Sequence, residues 1–152
     1  MHRMFEVGQG QRAIAIDDAP RPEAGAPVPV LLAGEDRAVL VYYASDDPPE
    51  LVDDPVPELL GILDFRGLGS CYFGYPNDEG VHDHPLYERG LSFYGVYRVE
   101  HSPWASWGGT HFIVTLHDST FECTAKRLIA QAVRRPFGDV VAEAARRLHE
   151  DS

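Results

Sequence analysis

Apolar and polar residues alternate with a period of two through much of this chain, and turn-forming residues break the alternation at short intervals. VPVLLA (28–33), the break GED and AVLVYYA (38–44) predict a hairpin of β-branched and aromatic strands. LLGILDF (59–65) and SCYFGY (70–75) are two further short runs on either side of a glycine-rich break. In SFYGVYRVEH (92–101), Phe93, Gly95, Tyr97 and Val99 alternate with Tyr94, Val96, Arg98 and Glu100. The period lengthens at the end: PFGDVVAEAARRLHE (136–150) carries Val141, Ala144, Ala145 and Leu148 at helical spacing. Asp139 is placed there to act as N-cap, and Glu143 precedes Arg147 by four residues. The pattern predicts a mainly β chain: an antiparallel β-sandwich or open barrel of about seven strands with one C-terminal α-helix. At this length residues 1–152 fit one domain.

The joints are polar. The prolines of APRPEAGAP (19–27) exclude helix and central strand. SDDPPELVDDPVPE (45–58), with six carboxylates and four prolines, reads as an exposed, solvated loop. YPNDEGVHDHPLYERG (75–90) is irregular, and SPWASWGGT (102–110) carries both tryptophans.

HFIVTLHDSTFEC (111–123) concentrates candidate chemistry on an apolar alternation. As a hairpin in which Leu116 faces Phe121, it puts Phe112, Val114, Leu116, Phe121, Cys123 and Ala125 on a core face. The opposite face then carries His111, Thr115, His117, Thr120, Glu122, Thr124 and Lys126, with Ile113 the one apolar member and Thr115 directly opposite Glu122. That face is either a working surface or the solvent side of an edge hairpin. A competing pattern is Ser119-x-x-Glu122, a capping box ahead of the helix formers TAKRLIAQAVRR, which would start a helix at Thr120.

NDEGVHDHPLYERG (77–90) is the second polar concentration. On an extended chain His82-x-His84 points both imidazoles one way, as metal ligands are presented. With Glu88 and Gly95 it resembles the first metal motif of the cupin superfamily, and Gly108-x-x-His111 echoes the second. Pro76 stands where that motif has its leading glycine, and the second motif lacks its proline and asparagine. The combination HPLYERGL (84–91), Tyr94-Gly95 and HFIVTLHDSTFEC is similar to a family of bacterial proteins with no assigned activity. That resemblance spans the second half of the chain and rests on His84, Tyr87 and Arg89, so it implies no reaction and no role.

Charge narrows the function classes. A formal net charge of −11, with Lys126 the single lysine, gives nucleic acid no basic footprint. The basic residues pair only as Lys126-Arg127, Arg134-Arg135 and Arg146-Arg147. No 18 apolar residues run together and MHRMFEVGQGQR lacks a signal-peptide core, so neither a membrane nor export is expected and the location reads as cytoplasmic. Cys71 and Cys123 make no disulfide framework and read as two half-buried thiols.

These features assemble into a small-molecule-binding site with the means for catalysis, between the 77–90 loop and the 111–122 hairpin. Its candidate catalytic residues are His84, His117, Asp118 and Glu122, one His moving a proton while a carboxylate orients it. Tyr87, Arg89, His111 and Trp104 would bind the ligand, Arg89 fixing an anionic group and Trp104 with Trp107 walling the site. No metal or cofactor is expected. The alternatives are an acidic, inhibitor- or immunity-type module for a basic protein partner, and a cupin-like metal-dependent enzyme.

Overall fold

The computed structural model describes residues 10–46 and 57–150. Most of the acidic stretch 45–58 and of the N-terminal dodecapeptide therefore lies outside the described residues. Nine antiparallel strands and one helix form the described part: β1 (Arg12–Ala15), β2 (Val30–Ala33), β3 (Arg37–Tyr43), β4 (Leu59–Arg66), β5 (Ser70–Gly74), β6 (Val96–Glu100), β7 (Thr110–Thr115), β8 (Thr120–Ala125), β9 (Arg127–Arg134) and α1 (Phe137–Glu150). One sheet has the order β1-β6-β7-β8-β5 and the other β2-β3-β4-β9. This is a sandwich rather than an open barrel, with two strands more than the sequence pattern predicts. The extra ones are the four-residue β1 and the helix-former-rich β9, whose eight pairs with β4 outweigh its propensity.

The two sheets enclose one apolar layer. Ala38, Leu40, Tyr42, Leu63 and Phe65 of the second sheet meet Phe112, Val114, Phe121, Cys123 and Ala125 of the first. A corner joins the sheets: β8 runs into β9 through Lys126, and β4 into β5 through residues 67–69. The Lys126 N–H bonds the carbonyls of Arg66 and Gly67, and Gly67 turns at φ 67°. On the outer face of the second sheet, Val140 and Ala144 of α1 cover Val39, Val41, Leu60 and Ile62. The helix starts at Phe137, so Asp139 sits in its first turn instead of capping it. Glu143 does pair with Arg147 (2.7 Å). Among the described residues no helix is long and apolar enough to cross a membrane.

Candidate functional site

The outer face of the first sheet holds the polar residues of β7 and β8. Residue 120 begins a strand, not a helix, and the register is shifted by two from the one read from sequence, so that Phe121 faces Val114 instead of Leu116. Thr115 pairs with Thr120 and Ile113 with Glu122, leaving His117 and Asp118 as the turn, closed by Leu116 N–H to the Ser119 carbonyl (3.0 Å). A shift of two keeps every side chain on its face. The core face is therefore the one the alternation predicts.

The polar face is not solvated. His111, Thr115, Thr120, Glu122 and Thr124 are all buried: residues 75–94 fold back over Thr115, Thr120 and Glu122, Ser102 and Trp104 cover His111, and Ser70 bonds Thr124. Val81, Leu86 and Leu91 of that segment bury against Ala13, Tyr97, Val99 and Ile113 of the sheet. The segment is itself a pair of 3-10 turns, Asp78–Asp83 and Tyr87–Arg89, the first capped by the Asn77 side chain accepting from Gly80 N–H. Hydroxyls stitch it down: Thr120 Oγ1 donates to the Pro76 carbonyl (2.7 Å), and Thr115 Oγ1 donates to that of Ser92 (2.9 Å).

At the centre Glu122 lies wholly buried between two imidazoles. Its Oε2 meets His84 Nε2 at 3.0 Å and its Oε1 meets His111 Nε2 at 2.8 Å. The tautomers follow from the hydrogen bonds around each ring. His84 Nδ1 accepts the Leu86 N–H (3.1 Å), so its proton sits on Nε2 and points at Glu122. The ionised Glu122 carboxylate can only accept, so His111 Nε2 also points a proton at it, while His111 Nδ1 lies 2.7 Å from Ser102 Oγ, which accepts from Trp104 N–H (3.1 Å). Burial works to raise the Glu122 carboxyl, but the hydrogen bonds from His111 and His84 outweigh it and hold the group below its usual value. An ionised carboxylate with two charge-assisted donors needs no further partner. Among the described residues no buried side-chain nitrogen or oxygen is unsatisfied.

A second chain of groups reaches the surface beside this clamp. Tyr94 OH donates to Asp78 Oδ2 (2.6 Å), which also faces His117 Nδ1 at 2.8 Å. The Tyr94 hydrogen bond, with His117 behind it, keeps the Asp78 carboxyl below its ordinary range, and the same bond pushes the Tyr94 phenol up. Asp78 thus fixes the Nδ1–H tautomer of His117, and Nε2 becomes a half-exposed base 3.7 Å from Asp118.

The expected site residues are only partly brought together. His84, His111 and Glu122 meet; His117 lies at the opposite end of β7, with Asp118 90 % exposed beside it. Arg89 does not reach Glu122, whose oxygens the imidazoles already occupy. It is exposed on the β1 side, where it donates to the Gln11 carbonyl (3.3 Å). An open cleft of about 560 Å³ there is lined by residues 10–14 and 88–90. Tyr87 packs edge-on to Phe93, and Trp104 stacks flat on His111 at 4.6 Å, so the Trp104 ring orients an imidazole. His82 is exposed beside Asp83 on a 3-10 turn, not on the extended chain that the cupin motif needs. Among the described residues no three His, Cys, Asp or Glu side chains are placed to hold a metal ion. Cys71 is exposed and Cys123 buried, directly opposite each other on β5 and β8, instead of both half-buried.

Sequence reading missed Ser102, Asp78 and Tyr94 as members of these networks. Ser102-Pro103 has the form of a turn cap, a local signal for a hydroxyl near His111; nothing local tied Asp78 to His117 across 39 positions. Comparison with family models, with curated proteins and with solved structures gave no match to this chain.

Proposed function

We propose that this chain is a binding module for a basic protein partner, working through the rim where residues 75–94 meet the β7–β8 turn. One observation carries the reading: the Glu122 clamp with His84 and His111 is sealed inside the fold, while the rim offers aromatic and acidic groups. Tyr75 and Phe93 are exposed, and so are Glu79, Asp83 and Asp118. Lysine and arginine side chains of a partner would lie on the rings and pair with the carboxylates. The net charge of −11 would speed their approach.

Titration with a lysine- and arginine-rich peptide tests this. Binding at low salt should weaken as salt rises, and fall about tenfold in Phe93→Ala/Asp118→Lys, a loss of about 1.4 kcal/mol. Equal binding by that variant, or none by the native chain at low salt, would overturn the reading. A second reading, a small-molecule acid–base site, is favoured by the Asp78-oriented His117, whose Nε2 a ligand could reach. Its sign would be a compound whose binding shifts the His117 ring resonances and is lost in His117→Gln.

A further inference from the structure

The opposite outer face carries an electrostatic inversion. Twelve arginines are scattered through a chain with 24 carboxylates, yet four of them, Arg37, Arg66, Arg135 and Arg147, converge on one groove between the second sheet and α1. Among the described residues only two carboxylates line it. Asp64 takes Arg37 through both oxygens (2.9 Å each) and Arg66 through Oδ2 (3.1 Å). Glu143 of α1 holds Arg135 and Arg147. Among the described residues four guanidiniums meet two carboxylates in the groove lining, a surplus of two positive charges, and the side chains of Arg66, Arg135 and Arg147 are each a third or more exposed.

The floor differs from the rim. Val39, Ile62, Ile129 and Val133 line it, with Val140 and Ala144 along the helix side. β-Register explains the juxtaposition: Asp64 pairs with Ile129 and Ile62 with Gln131, so charged and apolar side chains share one outward face. The groove has a volume of about 260 Å³, below the 300–1,000 Å³ usual for drug-sized ligands, so its occupant is small. Among the described residues no aromatic ring lines it, so they offer no stacking platform for a nucleobase.

We propose that this groove binds a small organic carboxylate with a short aliphatic body, the head held by the arginine forks and the tail laid on the valine and isoleucine floor. Arg37 and Asp64 act as the fixed frame, and Arg66, Arg135 and Arg147 supply donors to the incoming carboxylate. The site lies on the sheet face opposite the rim proposed for a protein partner, so the two readings stand or fall separately.

Titration of the full chain with hexanoate, hexanamide and inorganic phosphate, followed by backbone amide shifts, tests the proposal. Hexanoate should shift residues of β4, β9 and α1, while hexanamide and phosphate bind at least about tenfold more weakly. Arg66→Gln should weaken hexanoate binding about tenfold. Ile129→Glu, at an exposed position where folding is not at stake, should abolish it by placing a negative charge on the floor. Equal binding of hexanamide would overturn the role of charge, and equal binding of phosphate that of the floor. Absence of hexanoate binding at millimolar concentration, or unchanged binding in both variants, would overturn the site.

Discussion

At the scale of single residues, Glu122 ties His84 of the 75–94 segment and His111 of β7 into one buried clamp. Glu122→Ala strands two buried imidazole N–H donors, at about 1–3 kcal/mol each, so a stability loss of about 2–6 kcal/mol is expected in urea unfolding. Glu122→Gln should lose less. Its amide oxygen can still accept from His84, and its NH2 can donate to His111 if that ring moves its proton to Nδ1 and donates to Ser102. Ser102→Ala should therefore be mild alone but clearly worse in the Glu122→Gln background, a coupling that a double-mutant cycle reads directly. The pH dependence has a definite sign. The folded carboxyl sits below its unfolded value, so its contribution is complete above the unfolded pKa, about 4.3, and disappears as pH falls through the lower folded one. Asp78 adds to the same slope, and Glu122→Gln should flatten it. Thiol chemistry gives an independent check: a disulfide reagent should modify Cys71 quickly in the native protein. Cys123, buried and with its thiol pushed up, should react only on unfolding.

At the scale of elements, the phrases HPLYERGL and HDSTFEC become halves of one contact. HPLYERGL brings His84 to Glu122, buries Leu86 and Leu91, and turns at Gly90. Gly90 sits at φ 107°, and a Cβ there would lie 2.1 Å from the Ala13 carbonyl oxygen of β1. Gly90→Ala should thus destabilise by about 2–4 kcal/mol and detach the turn, measured as lost thermal stability and faster amide exchange at Leu86 and Leu91. HDSTFEC supplies the other half: a turn at His117–Asp118, the Thr120 bond to Pro76, and Phe121 and Cys123 in the core. The strands were legible because their two-residue period survives any even slip of register. The turn position was not, since Leu116 opposite Phe121 and Val114 opposite Phe121 satisfy the same face pattern. RLIAQAVR shows the opposite failure: local propensity pointed to a helix, and only the unpaired edge of β4 made it a strand.

For the whole molecule, stability should be graded from the middle of each sheet outward. β3, β4, β6, β7 and β8 are paired on both sides, whereas β1, β2, β5 and β9 are edges. Native-state hydrogen exchange should find the slowest amides in Leu40, Val41, Leu63, Val114 and Phe121, and the fastest strand amides in β1 and β2, which have four residues each. Deleting α1 would uncover Val39, Val41, Leu60 and Ile62, and the shortened chain should aggregate.

The alternation of apolar residues by itself determined that this is an antiparallel β protein closed by one helix, and which side of the 111–123 hairpin is core. Side-chain period is a property of the backbone, so it is written locally. Burial of the other face was decided by the tertiary structure alone. A histidine and a glutamate 38 positions apart look like solvent-face residues until a segment with its own apolar anchors closes over them. The arginines follow the same logic, dispersed along the chain and gathered by strand register and helix docking into the one strongly positive groove described. Local sequence sets which way a side chain points; which other side chain it meets depends on contacts between distant segments.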